Sequence, residues 1–217
     1  QEPFASTPLN WDTQAMRSAP PPGAKRFNVS ITTEPVALNS GLWQDAKTES
    51  AEFGGATQRA TSVRAVVSAD RLVVRLETVL PTSPKGEAIE VYLAPPGGKN
   101  AVYRFRVGPA VDDKEDAVAG FDTDPLDPRF GRFDSDWKGE WSYETKLNPA
   151  EQRWVALLAI PFTTLGVERP TDGSVWQGNF ARTYISADGR TERDFWTPAG
   201  SPDPINDFGG LAFQQAK

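Results

Sequence analysis

The chain has 217 residues, 38% of them hydrophobic and 11% aromatic, with Lys+Arg 23 against Asp+Glu 29 for a net charge of −6. That suits one sizeable folded domain and speaks against nucleic-acid binding, because phosphates would be repelled and no basic run is interleaved with aromatics. Cys and His are both absent, which excludes disulfides, thiolate metal sites and any triad built on imidazole.

Residues 1–26 hold Pro3, Pro8, Pro20, Pro21, Pro22 and Gly23. Proline removes backbone donors and fixes φ, so this stretch reads as an extended arm ahead of a domain over 27–217. Phe27 to Thr33 alternates apolar and polar residues, the pattern of a half-buried first strand. Leu42-Trp43-Gln44-Asp45-Ala46 reads as a helical turn or buried loop with Trp43 inward. Thr61 to Ala69 and Arg71 to Thr78 form a hairpin about Ala69-Asp70. Glu87 to Ala94 and Ala101 to Val107 form a second about Pro95-Pro96-Gly97-Gly98. In the latter strand Val102, Arg104 and Arg106 share one face; Tyr103, Phe105 and Val107 share the other.

Residues 109–137 read as an acidic loop. Within it Asp122, Asp124 and Asp127 are candidate oxygen ligands for a structural Ca²⁺, the one cofactor in view. No spacing matches an EF-hand loop, and a solvated charged loop is the other reading. Glu140 to Leu147 and Arg153 to Ile160 give another hairpin, followed by a turn from Pro161-Phe162 to Leu165-Gly166. Trp176 to Ser186 is a long strand, and Phe195-Trp196 and Leu211 to Phe213 close the set. About ten strands at this spacing predict an all-β fold: a two-sheet antiparallel β-sandwich, jelly-roll or immunoglobulin-like in its layering, behind the N-terminal arm.

Several of these segments recur in a fixed order: Leu42-Trp43-Gln44-Asp45-Ala46, Ile89-Glu90-Val91-Tyr92-Leu93, Phe105-Arg106-Val107, Ala159-Ile160-Pro161-Phe162 with Leu165-Gly166, Trp176-Gln177-Gly178-Asn179-Phe180-Ala181-Arg182 and Phe208-Gly209-Gly210-Leu211. The series resembles carbohydrate-binding module family 9 and its β-sandwich relatives over residues 34–214. The resemblance implies a sugar site made of a tryptophan clamp plus polar side chains on the adjacent sheet face. Glu90 and Arg106 match two of the polar positions. The family's asparagine position holds Gly108, and the clamp positions fall at Pro84-Lys85 and near Pro202.

Trp43, Trp154 and Trp176 read as core. Trp137, Trp141 and Trp196 lie beside turns, so Trp137 and Trp196 are the expected platforms for sugar stacking, with packing as the other reading of each. The function expected is non-catalytic binding of an oligo- or polysaccharide by a bacterial module that is secreted, periplasmic or at the cell surface, within a larger surface assembly. The start at Gln1, without Met, reads as a trimmed one and agrees with export. Nothing approaches the roughly 20 apolar residues of a membrane span. Two alternatives stand beside this. One is a structural or adaptor sandwich without a sugar site. The other is a polysaccharide lyase or glycosidase that works without His, with Tyr92, Tyr103, Tyr143 or Tyr184 as proton donor.

Overall fold

The computed structural model describes residues 20, 22–44, 48–55, 60–80, 86–98, 102–109, 116–120, 133–134, 136–186, 188–198 and 207–215. The alternating segments become strands: β1 (Arg26–Thr32), β2 (Ala51–Phe53), β3 (Thr61–Ser68), β4 (Arg71–Val79), β5 (Ala88–Ala94), β6 (Tyr103–Val107), β7 (Asp116–Gly120), β8 (Phe133–Asp134), β9 (Ser142–Asn148), β10 (Arg153–Pro161), β11 (Val175–Ile185), β12 (Thr191–Phe195) and β13 (Gly209–Gln215). The strand order is β8-β7-β6-β5-β11-β13-β1-β3-β4-β10-β9, with β12 on β11 and β2 on β3.

The fold is the expected all-β sandwich. One departure is that β1 runs parallel to both neighbours, β13 and β3; every other pair is antiparallel. β11 passes between layers. Its first residues pair with β13 and its later ones with β12, while β5 flanks both parts. The order thus folds over on itself and closes a core between its inner faces. Phe27 of β1 meets Phe180 of β11 at 5.8 Å between ring centroids, and Phe105 of β6 meets Trp141 at 5.4 Å. The Tyr103 hydroxyl donates to the Leu165 carbonyl at 2.7 Å, so its polar tip is satisfied inside.

Trp43, Trp154 and Trp176 are buried. Trp43 covers the outer face of β3, β4 and β10 with Val66, Val73 and Leu157, and its indole N–H donates to the Ala37 carbonyl at 2.7 Å. Three strands lie outside the expected set, β2, β7 and β8, and β12 lies mostly ahead of the expected Phe195-Trp196 segment. β7 and β8 fall inside the segment read as an acidic loop. The run Asp116-Ala117-Val118-Ala119-Gly120 has weak strand propensity, and it is the free edge of β6 that gives it a ladder. After β10 the chain makes one helical turn, α1 (Phe162–Leu165). It stops at Gly166, whose left-handed φ of 68° lets its N–H reach back to the Phe162 and Thr163 carbonyls.

A buried ion pair ties the layers together. Arg182 of β11 donates through Nε and Nη2 to Glu87 Oε2 at 3.2 and 3.1 Å, through Nη1 to Thr78 Oγ1 at 2.6 Å and through Nη2 to the Val79 carbonyl at 3.4 Å. Thr78 and Val79 belong to β4, so one guanidinium spans the sandwich.

Gly178 allows the close approach where β11 changes partners. A Cβ there would lie 2.9 Å from the Tyr92 carbonyl and 2.8 Å from Leu211 Cδ1. Gly178→Ala is expected to cost about 1–3 kcal/mol through overpacking, read as a lower midpoint in urea unfolding with an unchanged slope.

Candidate functional site

Strand alternation sorts β5 into two faces. Ile89, Val91 and Leu93 enter the core, while Glu90 and Tyr92 stand on the outer face. Register then assembles the rest. Glu90 lies opposite Arg106 of β6 and Ala181 of β11, and Tyr92 lies opposite Arg104 and Asn179. On β12, Arg193 lies opposite Thr183 and Phe195 opposite Ala181. Glu90 and Arg106 are therefore brought to one surface, as the alternation of their strands requires.

Glu90 is 0% exposed. A carboxylate at that depth is costly unless its oxygens are satisfied. Tyr92 donates its hydroxyl to Oε2 at 2.5 Å, Thr183 donates to Oε1 at 2.5 Å, and Arg193 Nε stands 3.3 Å from Oε1. Arg193 Nε also donates to Thr183 Oγ1 at 3.0 Å. Burial, reinforced by the neighbouring Glu90 carboxylate, holds the Tyr92 phenol well above its usual pKa, so it remains a donor throughout the neutral range.

Aromatic rings border this cluster. Tyr92 packs on Phe208 and Phe195 at 6.0 and 6.5 Å, and the Arg104 guanidinium lies 5.3 Å over the Phe133 ring. Tyr92 and Phe208 are buried, whereas Phe133 and Phe195 keep part of their faces open. The result is a polar floor with aromatic edges. It can donate and accept several hydrogen bonds at fixed positions while offering ring faces to apolar C–H groups.

Trp137 and Trp196 do not join this surface. Trp137 packs on Tyr103 and Phe105 at 5.4 and 6.2 Å, on the core side of β6 and so on the opposite face from Arg106. Trp196 is 4% exposed and lies against Phe27 and Phe180. Neither ring stands beside Glu90: Trp196 fills the interior, and the half-buried Trp137 packs against the core on the opposite face of β6. Asp122, Asp124 and Asp127, the candidate Ca²⁺ ligands, lie outside the described residues, as do Pro84, Lys85 and Pro202. Among the described residues no group of three or more Asp or Glu is placed to hold a metal ion.

Arg193, Thr183 and Phe195 were missed by the sequence reading. A signal was present: Thr191, Arg193 and Phe195 alternate after an Asp188-Gly189 turn, with Gly189 at a φ of 81°, the mark of a hairpin returning along β11.

No protein-family model matches the chain, and no curated protein matches it. Solved structures do. A carbohydrate binding module family 9 from Caldicellulosiruptor kristjanssonii in complex with cellotriose aligns at a TM-score of 0.61 and 15% identity, over 89% of this chain and 95% of that one. Another from the same organism, in complex with glucose, gives 0.60 and 13%, over 89% and 97%. A protein of Bacteroides uniformis ATCC 8492 gives 0.62 and 14%, over 88% and 100%. What is shared at this similarity is the architecture: the chain has a β-sandwich fold like that of carbohydrate-binding module family 9.

Proposed function

We propose that the chain binds a carbohydrate, without transforming it, on the outer face of β6, β5, β11 and β12. The observation that carries this is Glu90: a fully buried carboxylate held by Tyr92, Thr183 and Arg193 at the floor of a face whose rim is aromatic. Buried at 0% exposure, Glu90 accepts from Tyr92 and Thr183 and pairs with Arg193, so its part is to fix those groups at the floor of the face. Arg106 and the exposed end of Arg193 supply donors on either side, and Phe195 and Phe133 supply the ring faces. The likeness to structures holding cellotriose and glucose supports an oligo- or polysaccharide of that kind. Export to the periplasm, surface or medium belongs to the same reading. A chain without Cys needs no redox control there, and no helix among the described residues is long and apolar enough to cross a membrane.

Isothermal titration with glucose, cello-oligosaccharides and a panel of plant and algal glycans tests it. Binding by at least one of them is expected. Glu90→Gln keeps the shape but weakens the charge-assisted contacts that hold Tyr92, Thr183 and Arg193 in place, worth about 1.5–3 kcal/mol, so affinity for that glycan should fall by up to about 10–150-fold. Silence across the panel, with unshifted tryptophan fluorescence, would favour the adaptor reading instead.

A further inference from the structure

β9 closes one end of the strand order, and among the described residues it pairs with β10 alone. Such an edge offers a row of backbone N–H and C=O groups to any extended chain that fits it. Every residue of β9 but Asn148 is exposed. Tyr143, Thr145 and Leu147 lie opposite Leu158, Ala156 and Trp154 and so point toward the core side. Trp154 Nε1 donates to Thr145 Oγ1 at 2.7 Å from that side. Even so, Tyr143 is 38% and Leu147 40% exposed, two of the three exposed large hydrophobic residues among those described. The apolar side chains of this edge strand are thus left partly uncovered.

The strand is complementary to its own reverse. Two copies laid antiparallel about a two-fold axis at Thr145 place Glu144 opposite Lys146 of the second copy, Tyr143 opposite its Leu147 and Ser142 opposite its Asn148. Symmetry makes each of these pairs twice. Paired residues share a face, so the apolar pairs meet on the core side and the ion pairs on the outer side. Moving the axis to Glu144 or to Lys146 sets like charges face to face. A lone lysine on an edge strand guards it against pairing; with Glu144 two residues away, the same lysine specifies one register.

We propose that β9 is a dimerisation edge, at which a second copy of this chain adds its own β9 antiparallel about Thr145 and continues the sheet across the two-fold axis. The sugar-binding face lies on the other layer, so this inference stands apart from the functional reading.

Sedimentation equilibrium from micromolar to millimolar protein tests it. The wild type should shift from monomer toward dimer mass with rising concentration. Lys146→Glu replaces both attractive pairs by repulsive ones and should raise the dimer Kd about tenfold or more. Circular dichroism should show it folded, since the position is exposed. The swapped double variant E144K/K146E again opposes unlike charges and should dimerise as the wild type does. Mixed with wild type it should form heterodimers about tenfold or more weakly than either homodimer, as K146E does with itself. A wild type that stays monomeric throughout, a K146E variant that dimerises unchanged, or a double variant as monomeric as K146E would each overturn the proposal.

Discussion

Arg182→Met is expected to lower the unfolding free energy by about 3–5 kcal/mol, a large part of the stability of a domain this size. The substitution removes the guanidinium that joins Glu87 to Thr78 and the Val79 carbonyl across the two layers. Glu87 and Arg182 are both buried, and the loss leaves a carboxylate in the interior without its cation. Urea unfolding monitored by tryptophan fluorescence measures it. Replacing both partners, in R182M/E87M, should recover most of the deficit, because a matched apolar pair needs no charge compensation.

The same pair gives a pH dependence of definite sign. Burial raises the Glu87 carboxyl above its ordinary value of 4.5, and Arg182 opposes that rise. A carboxyl raised on folding favours the protonated form of the native state, so its contribution is fully present below the unfolded value and is lost as pH rises through the folded one. Without Arg182 the rise is larger. The deficit of R182M should therefore be greatest near neutrality and shrink on acidification, as Glu87 takes up its proton. An equal deficit at pH 7 and pH 4 would contradict the burial account.

Trp196→Ala is expected to cost about 3–5 kcal/mol, the range for truncating a buried tryptophan. Its ring lies between Phe27 and Phe180, and the Lys25 ammonium donates to its backbone carbonyl at 2.9 Å. The milder Trp196→Phe separates packing from ligand contact. It should lower the thermal midpoint while leaving the glycan titration of the folded protein unchanged. A loss of binding with no loss of stability would return Trp196 to the sugar surface.

Much of the architecture could be read before folding was considered, and the reason is local. Phe27 to Thr33, Thr61 to Thr78 and Arg153 to Ile160 alternate or saturate with β-branched residues, a pattern that a strand buries and a helix cannot. Trp154 and Trp176 sit within apolar strand segments, and Trp43 on a short turn beside them, and all three are core. Glu90 and Arg106 were picked out by the family resemblance, and the register of β5 on β6 is what brings them to one surface, since both strands point their even-numbered residues outward.

The tryptophans beside turns were a different case. Composition marks Trp137 and Trp196 as large and near loops, yet which side of the sheet a loop residue folds back onto is decided by what space the opposite layer leaves. Arg193 reaches Glu90 only because β12 returns along β11, and Arg182 spans the sandwich only because β4 lies beneath it.

The amino-acid order by itself thus determined the fold class and most of the strands, since these rest on period-two alternation and on residues a few positions apart. Tertiary structure alone decided three things: that Trp196 packs inside and Trp137 against the core side of β6, that Arg193, Thr183 and Phe195 join the face of Glu90, and that β9 is left at an edge. Each depends on contacts between segments distant in sequence, whose approach is fixed by filling the shared core and satisfying its buried charges.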